Sequence, residues 1–582
     1  MGLRGGRGAP APAPPLRVRA ANDAPVRPGG DFVLYWMFAA HRVRFNFALD
    51  RAIERAASLG KPLVVLELIR CRYRWASDRF HRFLLEGLSD NAKALRRAGV
   101  LHHPFVEEAP GEGDGLVGAL AARACLVVTD DFPAFFFPEW VAAEARSCTV
   151  LVEQVDGNGL LPMRAAEKTY PTAHAFRRFL QRSLRPHLEA FPEAAPLSGL
   201  EIPRLAALPR AILRRWPPAP ERRLRGDVSG LPLDRAVGPV AIRGGQEAAS
   251  AAAARFVRER LARYAEDRNE PERNGTSGLS PYLHFGHLSA HEVLAAVALE
   301  EGWSPSDTSS RADGSKAGWW GMGASAEAFL DQLVTWRELG FNFCSTRGDP
   351  ERYDSLPSWA RDTLARHARD RRPRVYSLDD LEAGRTHDPL WNAAQRQLVL
   401  EGGIHNYLRM LWGKKILEWS ESPARALDAM IELNNKYALD GRDPNSYGGI
   451  FWVLGRYDRP WGPERPIFGT VRYMSSENTA RKGRVKEYVR RLFDVKPARF
   501  SGVASVCCGL ARPSSCTAAA SPPHISLAPE RPKFRQRRSV WGEGEPSRLA
   551  SHPSIGWIHQ RLPTRKPPIE TGSASGELSR AV

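Results

Sequence analysis

The chain lacks any uninterrupted apolar run of the ~18 residues that a helical membrane span requires, which excludes an integral helical membrane protein. It also lacks a C-x-x-C pair. Its seven cysteines (Cys71, Cys125, Cys148, Cys344, Cys507, Cys508 and Cys516) are odd in number and scattered. A disulfide scaffold, a structural zinc site and a secreted compartment are therefore all disfavoured. No G-x-G-x-x-G follows the first strand-like run, so the dinucleotide-binding fingerprint is missing, and no internal repeat is visible. Acid is scarce at both ends. Residues 1–30 hold five Arg against one Asp, and 497–582 hold twelve Lys or Arg against five Glu. Of the formal net charge of +18, the body between the tails keeps only about +7. That mild excess suits a polyanionic partner without requiring one.

What is present divides into five stretches. Residues 1–30 are Ala, Pro, Gly and Arg without apolar period, and read as a disordered arm or an Arg-rich organelle leader. From 31 to 190, buried-strand runs alternate with amphipathic helices. The strand runs are FVLYWM (32–37), PLVVLEL (62–68), CLVVTD (125–130) and TVLVEQV (149–155). This alternation predicts a parallel, doubly wound α/β domain. Residues 191–249 read as a Pro-, Leu- and Arg-rich interdomain linker, and 250–494 as an all-helical domain with a polar surface loop at 304–318. The basic, Ser- and Pro-rich 495–582 reads as a disordered tail whose RPKFRQRRSV run (531–540) suits a nuclear address or a nucleic-acid arm. The expected setting is intracellular, nuclear or organellar.

The helical part carries the chemistry. Trp412 and Trp419 stand seven residues apart, two turns of one helix face, with Arg409 one turn before Trp412. Two indoles at that spacing are ordinarily core fillers, but an Arg on the same stripe needs a partner. Asp440 is the natural candidate. Leu427, Met430 and Ile431 form an apolar stripe that Asn434 continues, so its amide should face inward and must be satisfied. GTSGLSPYLHFG (275–286) offers hydroxyls and backbone amides ahead of a helix, a phosphate cradle or simply a cap.

In order and spacing, HDPLWNAAQ (387–395), NYLRMLWGKKILEW (406–419), YALDGRDPN (437–445) and RPIFGTVRYM (465–474) resemble the flavin domain of class II cyclobutane pyrimidine dimer photolyases, supported by TSGLSPYLHFG and WRELGFNF. The resemblance spans roughly 31–490. It implies an α/β antenna-type domain followed by a helical FAD-binding domain. The implied activity is light-dependent splitting of pyrimidine dimers in double-stranded DNA, by a monomer using FAD, with an antenna chromophore of unknown identity. By the same resemblance, Tyr264, Thr276, Ser277, Gly278, Leu279, Ser280 and Gly441 hold FAD, and Arg409 and Asp440 pair across it. Asn434 faces the flavin, and Trp412, Trp391 and Trp419 carry electrons towards it. Glu338, Asn342, Asn406 and Trp452 face the flipped dimer. A protonated Glu338 in a dry pocket would donate a hydrogen bond to a pyrimidine carbonyl, and Trp452 would stack on a base. Two departures from the family pattern stand out: Gly278, where a larger polar residue is usual, and Ser446, where a Gly usually follows DPN. A cryptochrome-like blue-light sensor without repair activity is the alternative reading. A nucleic-acid binder without flavin is a further one.

Overall fold

Six strands form one sheet in the order β1-β6-β5-β2-β3-β4 in the computed structural model, which describes residues 12–494 except 274, 483 and 484. They are β1 (Val18–Ala20), β2 (Phe32–Met37), β3 (Leu63–Ile69), β4 (Leu101–Val106), β5 (Ala124–Asp130) and β6 (Val152–Val155). All neighbours run parallel except β1, which is antiparallel to β6. Every residue of β2, β3 and β5 is buried, as expected of strands covered by helices on both faces. Helices α1 (Phe47–Leu59) and α2 (Asp78–Ala98) flank them. Asn46 caps α1 by accepting from the Ala48 and Leu49 amides, and Gly60, at φ 60°, ends it in the left-handed region.

Three expectations need correction here. The second half of the N-terminal arm is ordered. Val18–Ala20 adds a strand to β6, and Arg17 is buried, donates to the Asp156 and Leu160 carbonyls and lies 4.5 Å over the Phe47 ring. Edge pairing uses backbone groups, so it needs no apolar pattern. Strand β4 was not anticipated, because His102, His103 and Pro104 dilute its apolar content; Pro is tolerated there because β4 is an edge strand. The 191–249 stretch is not a free tether either. Trp216 donates from Nε1 to the Glu112 carbonyl, Ala219 N–H bonds Pro104, and Arg223 is fully buried. Residues 1–11 and 495–582, including the proposed tail and its basic run, lie outside the described residues.

Beyond Gly245 the described chain is helical. The helices that matter below are α3 (Gln246–Arg260), α4 (Arg337–Thr346), α5 (Pro389–Glu401), α6 (Asn406–Trp419), α7 (Pro423–Tyr437) and α8 (Pro444–Val453). Asp388, Ser422 and Asp443 cap α5, α7 and α8 by accepting backbone amides, with Pro next in each case. One apolar core runs from the sheet into the helices. Phe132, just past β5, meets Phe341 of α4 at 5.7 Å, and Arg79 of α2 donates to the Leu398, Val399 and Tyr437 carbonyls.

Candidate functional site

Helices α4, α6, α7 and α8 converge on one region. Gly340 of α4 lets α8 approach so closely that an added Cβ would stand 2.5 Å from the Pro444 carbonyl oxygen. Arg409 of α6 donates from Nη2 to Asp440 Oδ1 at 2.8 Å, both side chains being about 15 % exposed. The Arg409 Nε is buried with no partner among the described residues. Burial pushes the Asp440 carboxyl up. The Arg409 charge and hydrogen bonds from Arg409 and Ser280 outweigh that, leaving it below its ordinary value. Asn434 is buried and donates to Ser446 Oγ at 2.8 Å and to Asn435 Oδ1. The Ser446 hydroxyl thus fixes the Asn434 amide, which a Gly at that position would leave without this acceptor. Gly441 has no room for a side chain, since a Cβ would lie 2.8 Å from the Asn434 carbonyl oxygen.

The 275–280 segment approaches this pair through Ser280. The carbonyls of Thr276 and Ser277 accept from Arg260 of α3, and Leu279 is buried. Gly278 has φ 70° with open space around its Cα. The backbone conformation, not crowding, favours glycine there. Tyr264 is buried edge-on against Phe256 and Phe329, and burial raises its phenol.

The three indoles are buried and linked in series, Trp391 to Trp412 through the Trp412 backbone carbonyl and Trp391 to Trp419 ring to ring. Trp412 donates from Nε1 to Gln395 Oε1 at 2.9 Å, and Trp391 Nε1 donates to the Trp412 carbonyl at 3.0 Å. Trp391 and Trp419 rings meet at 5.5 Å, nearly perpendicular. Tyr376 and His387, which sequence reasoning missed, lie 5.5 and 5.2 Å from Trp419 and lead to the surface. Gln395, four residues after Trp391 on a buried stripe, was a readable signal: a buried amide there needs a polar partner.

The lesion-facing set divides. Asn406 is exposed at the start of α6, and Trp452 is partly exposed on the last turn of α8. Glu338 and Asn342 are corrected. The Glu338 carboxylate accepts the Leu160 and Leu161 amides at 2.7 and 3.1 Å, and an added Cβ on Gly159 would lie 2.7 Å from it. Burial raises it to about 7 against the pull of those bonds and of Arg337. Asn342 accepts the Tyr170 amide and donates to the Lys168 carbonyl. Both side chains are spent holding the 158–170 loop to α4. A segment more than 170 residues away supplies their partners, which is why helix position alone misassigned them.

The sequence is 36 % identical over 477 residues to a deoxyribodipyrimidine photo-lyase of Methanothermobacter thermautotrophicus, covering 82 % of this chain and 98 % of that protein. A deoxyribodipyrimidine photo-lyase of Oryza sativa subsp. japonica is 35 % identical over 492 residues, covering 81 % and 89 %. The chain belongs to the deoxyribodipyrimidine photo-lyase family. A crystal structure of a class III photolyase from Agrobacterium tumefaciens superposes with a TM-score of 0.56 at 18 % identity, over 80 % of this chain and 86 % of that one, and so shares the fold. No protein-family model matches. Family membership implies FAD, and the residues present fit it. The unpartnered Arg409 Nε and the charged Asp440 are polar groups of the kind a buried flavin nucleotide satisfies.

Proposed function

We propose that this chain is a class II enzyme of its family, a flavoprotein lyase that repairs cyclobutane pyrimidine dimers in double-stranded DNA under blue light. Reduced FAD, when bound, supplies the light-driven electron that opens the cyclobutane ring. Arg409, Asp440, Ser280 and Asn434 would hold the cofactor, with the 276–279 backbone and Gly441 shaping its seat. The observation that carries this reading is the buried series Trp412, Trp391 and Trp419, joined by the Trp391 hydrogen bond to the Trp412 carbonyl and the Trp391–Trp419 ring contact and starting one turn from Arg409 on α6. A structural core needs no such alignment. Redox supply to a buried group does.

On the DNA side, Trp452 offers an indole face for an extruded base, and the basic body binds phosphates without sequence preference. Residues 250–494 would form the catalytic part and 31–190 the antenna part of a monomer working in the nucleus or an organelle. No helix among the described residues is long and apolar enough to cross a membrane. A small aromatic cavity lies at the C-terminal ends of β2, β3 and β5, and its ~70 Å³ is too little for an antenna chromophore.

The test combines a visible spectrum with repair. Purified protein should show flavin bands that bleach under blue light with a thiol reductant, and the reduced protein should then split a defined thymine dimer. Absence of flavin bands would remove the proposal. Bound, reduced flavin without splitting would favour the light-sensor alternative.

A further inference from the structure

Lys414 sits on α6 between Trp412 and Trp419 and is fully buried. Its Nζ donates to the Val453 carbonyl and stands 5.0 Å from the centroid of the Trp452 ring. Among the described residues no carboxylate lies within ion-pair distance of it. Asp458, the acidic group it feels, is committed to Arg472 at 2.8 Å and to Trp461 Nε1 at 3.0 Å. Arg472 in turn lies 5.6 Å from the Trp452 ring and 3.9 Å from that of Trp461, and Arg459 lies 4.4 Å from Trp461. Lys414, Trp452, Arg472, Trp461 and Arg459 therefore alternate cation and indole, from a fully buried end to an exposed one.

A cation buried without a carboxylate is costly, and Met would fill the same volume more cheaply. What the ammonium adds is directional attraction to the ring face, which an indole turned edge-on loses. Charge at the inner end of the ladder thus resists rotation of the Trp452 ring.

We propose that Lys414 is a positioning residue for lesion recognition, its buried ammonium fixing the Trp452 indole as the platform on which the flipped pyrimidine dimer stacks. This rests on the lesion-stacking role proposed for Trp452. Burial brings the ammonium down to about 7, with Asp458 pulling it up and Arg472 lowering it further. The groups facing it are the Val453 carbonyl and Trp452 of α8, and Asp458 and Arg472 beyond α8. Its neighbour Lys415 is paired with Glu418. The anchor is charged below about pH 7 and neutral above it, so the platform should loosen as pH rises.

The test uses the full flavin-loaded chain in the dark. Affinities for a duplex carrying one thymine dimer and for its undamaged counterpart are measured from about pH 6 to about pH 8.5. The parent's preference for the damaged duplex should fall roughly five- to tenfold across that range, the scale of one desolvated cation–π contact. Lys414→Met should show the low preference at every pH, with unchanged FAD content and unchanged affinity for undamaged DNA. A Lys414→Met protein with the parent's preference and pH profile would overturn the proposal. Should that variant not fold, a flat parent profile overturns it equally. A parent without preference for the damaged duplex at any pH would instead sink the reading of Trp452, and this inference with it.

Discussion

Replacing Asp440 by Asn removes one charge from the Arg409 pair while keeping the side chain's size. At 2.8 Å and an effective dielectric constant of ~20 the Coulomb attraction is about 6 kcal/mol, before the cost of desolvating both groups is charged against it. Breaking a buried pair from one side costs about 3–5 kcal/mol, because the surviving cation stays uncompensated. An Asn oxygen still accepts one hydrogen bond from Arg409, so the loss should fall just below that range, at ~2–3 kcal/mol. The Ser280 bond to Asp440 weakens with the charge, which loosens the 275–280 cradle as well. Two readouts follow: flavin per polypeptide from the visible spectrum, and the melting temperature. Asp440→Asn should purify with little FAD and melt several degrees below the parent. Because the folded carboxyl lies below its ordinary value of 3.8, the pair stabilises the protein at all pH above that value. That stability is lost only as pH falls further, through the folded pKa. The deficit relative to the parent should therefore be constant from about pH 5 to about pH 8 and shrink only in acid. A variant with full flavin content and the parent's melting temperature would refute the pairing as the support of the cofactor.

Trp412→Phe should keep FAD but lose light-driven reduction of the oxidised cofactor, followed as bleaching of the flavin bands; bleaching at the parent rate would break the indole path. Glu338→Ala strands the Leu160 and Leu161 amides, at roughly 1–3 kcal/mol each. Its melting temperature should drop while the folded fraction repairs as many dimers per absorbed photon as the parent. A loss per photon without a loss of stability would return Glu338 to the lesion. Gly441→Ala forces a methyl to within 2.8 Å of the Asn434 carbonyl oxygen and should cost about 1–3 kcal/mol in urea unfolding; an unchanged midpoint would show that the turn relaxes freely.

Much of this protein was fixed locally. Buried strands such as FVLYWM at 32–37 need no partner to be read, because a continuous apolar run covered on both faces has few other uses. The turn spacing of Arg409, Trp412 and Trp419 is likewise a property of one helix, and Asn434 follows from its stripe on another. Contacts between distant segments were decided only in three dimensions. Strand β1 exists because β6 presents unpaired backbone groups, and β4 because β3 does. Glu338 has the same sequence surroundings whether it faces a lesion or a loop, and only the arrival of Leu160 and Leu161 commits it to the loop. The cation beneath Trp452 was equally illegible. Periodicity tells that Lys414 faces inward or outward, but not that an indole from α8 will cover its charge, and that juxtaposition depends on how two helices pack.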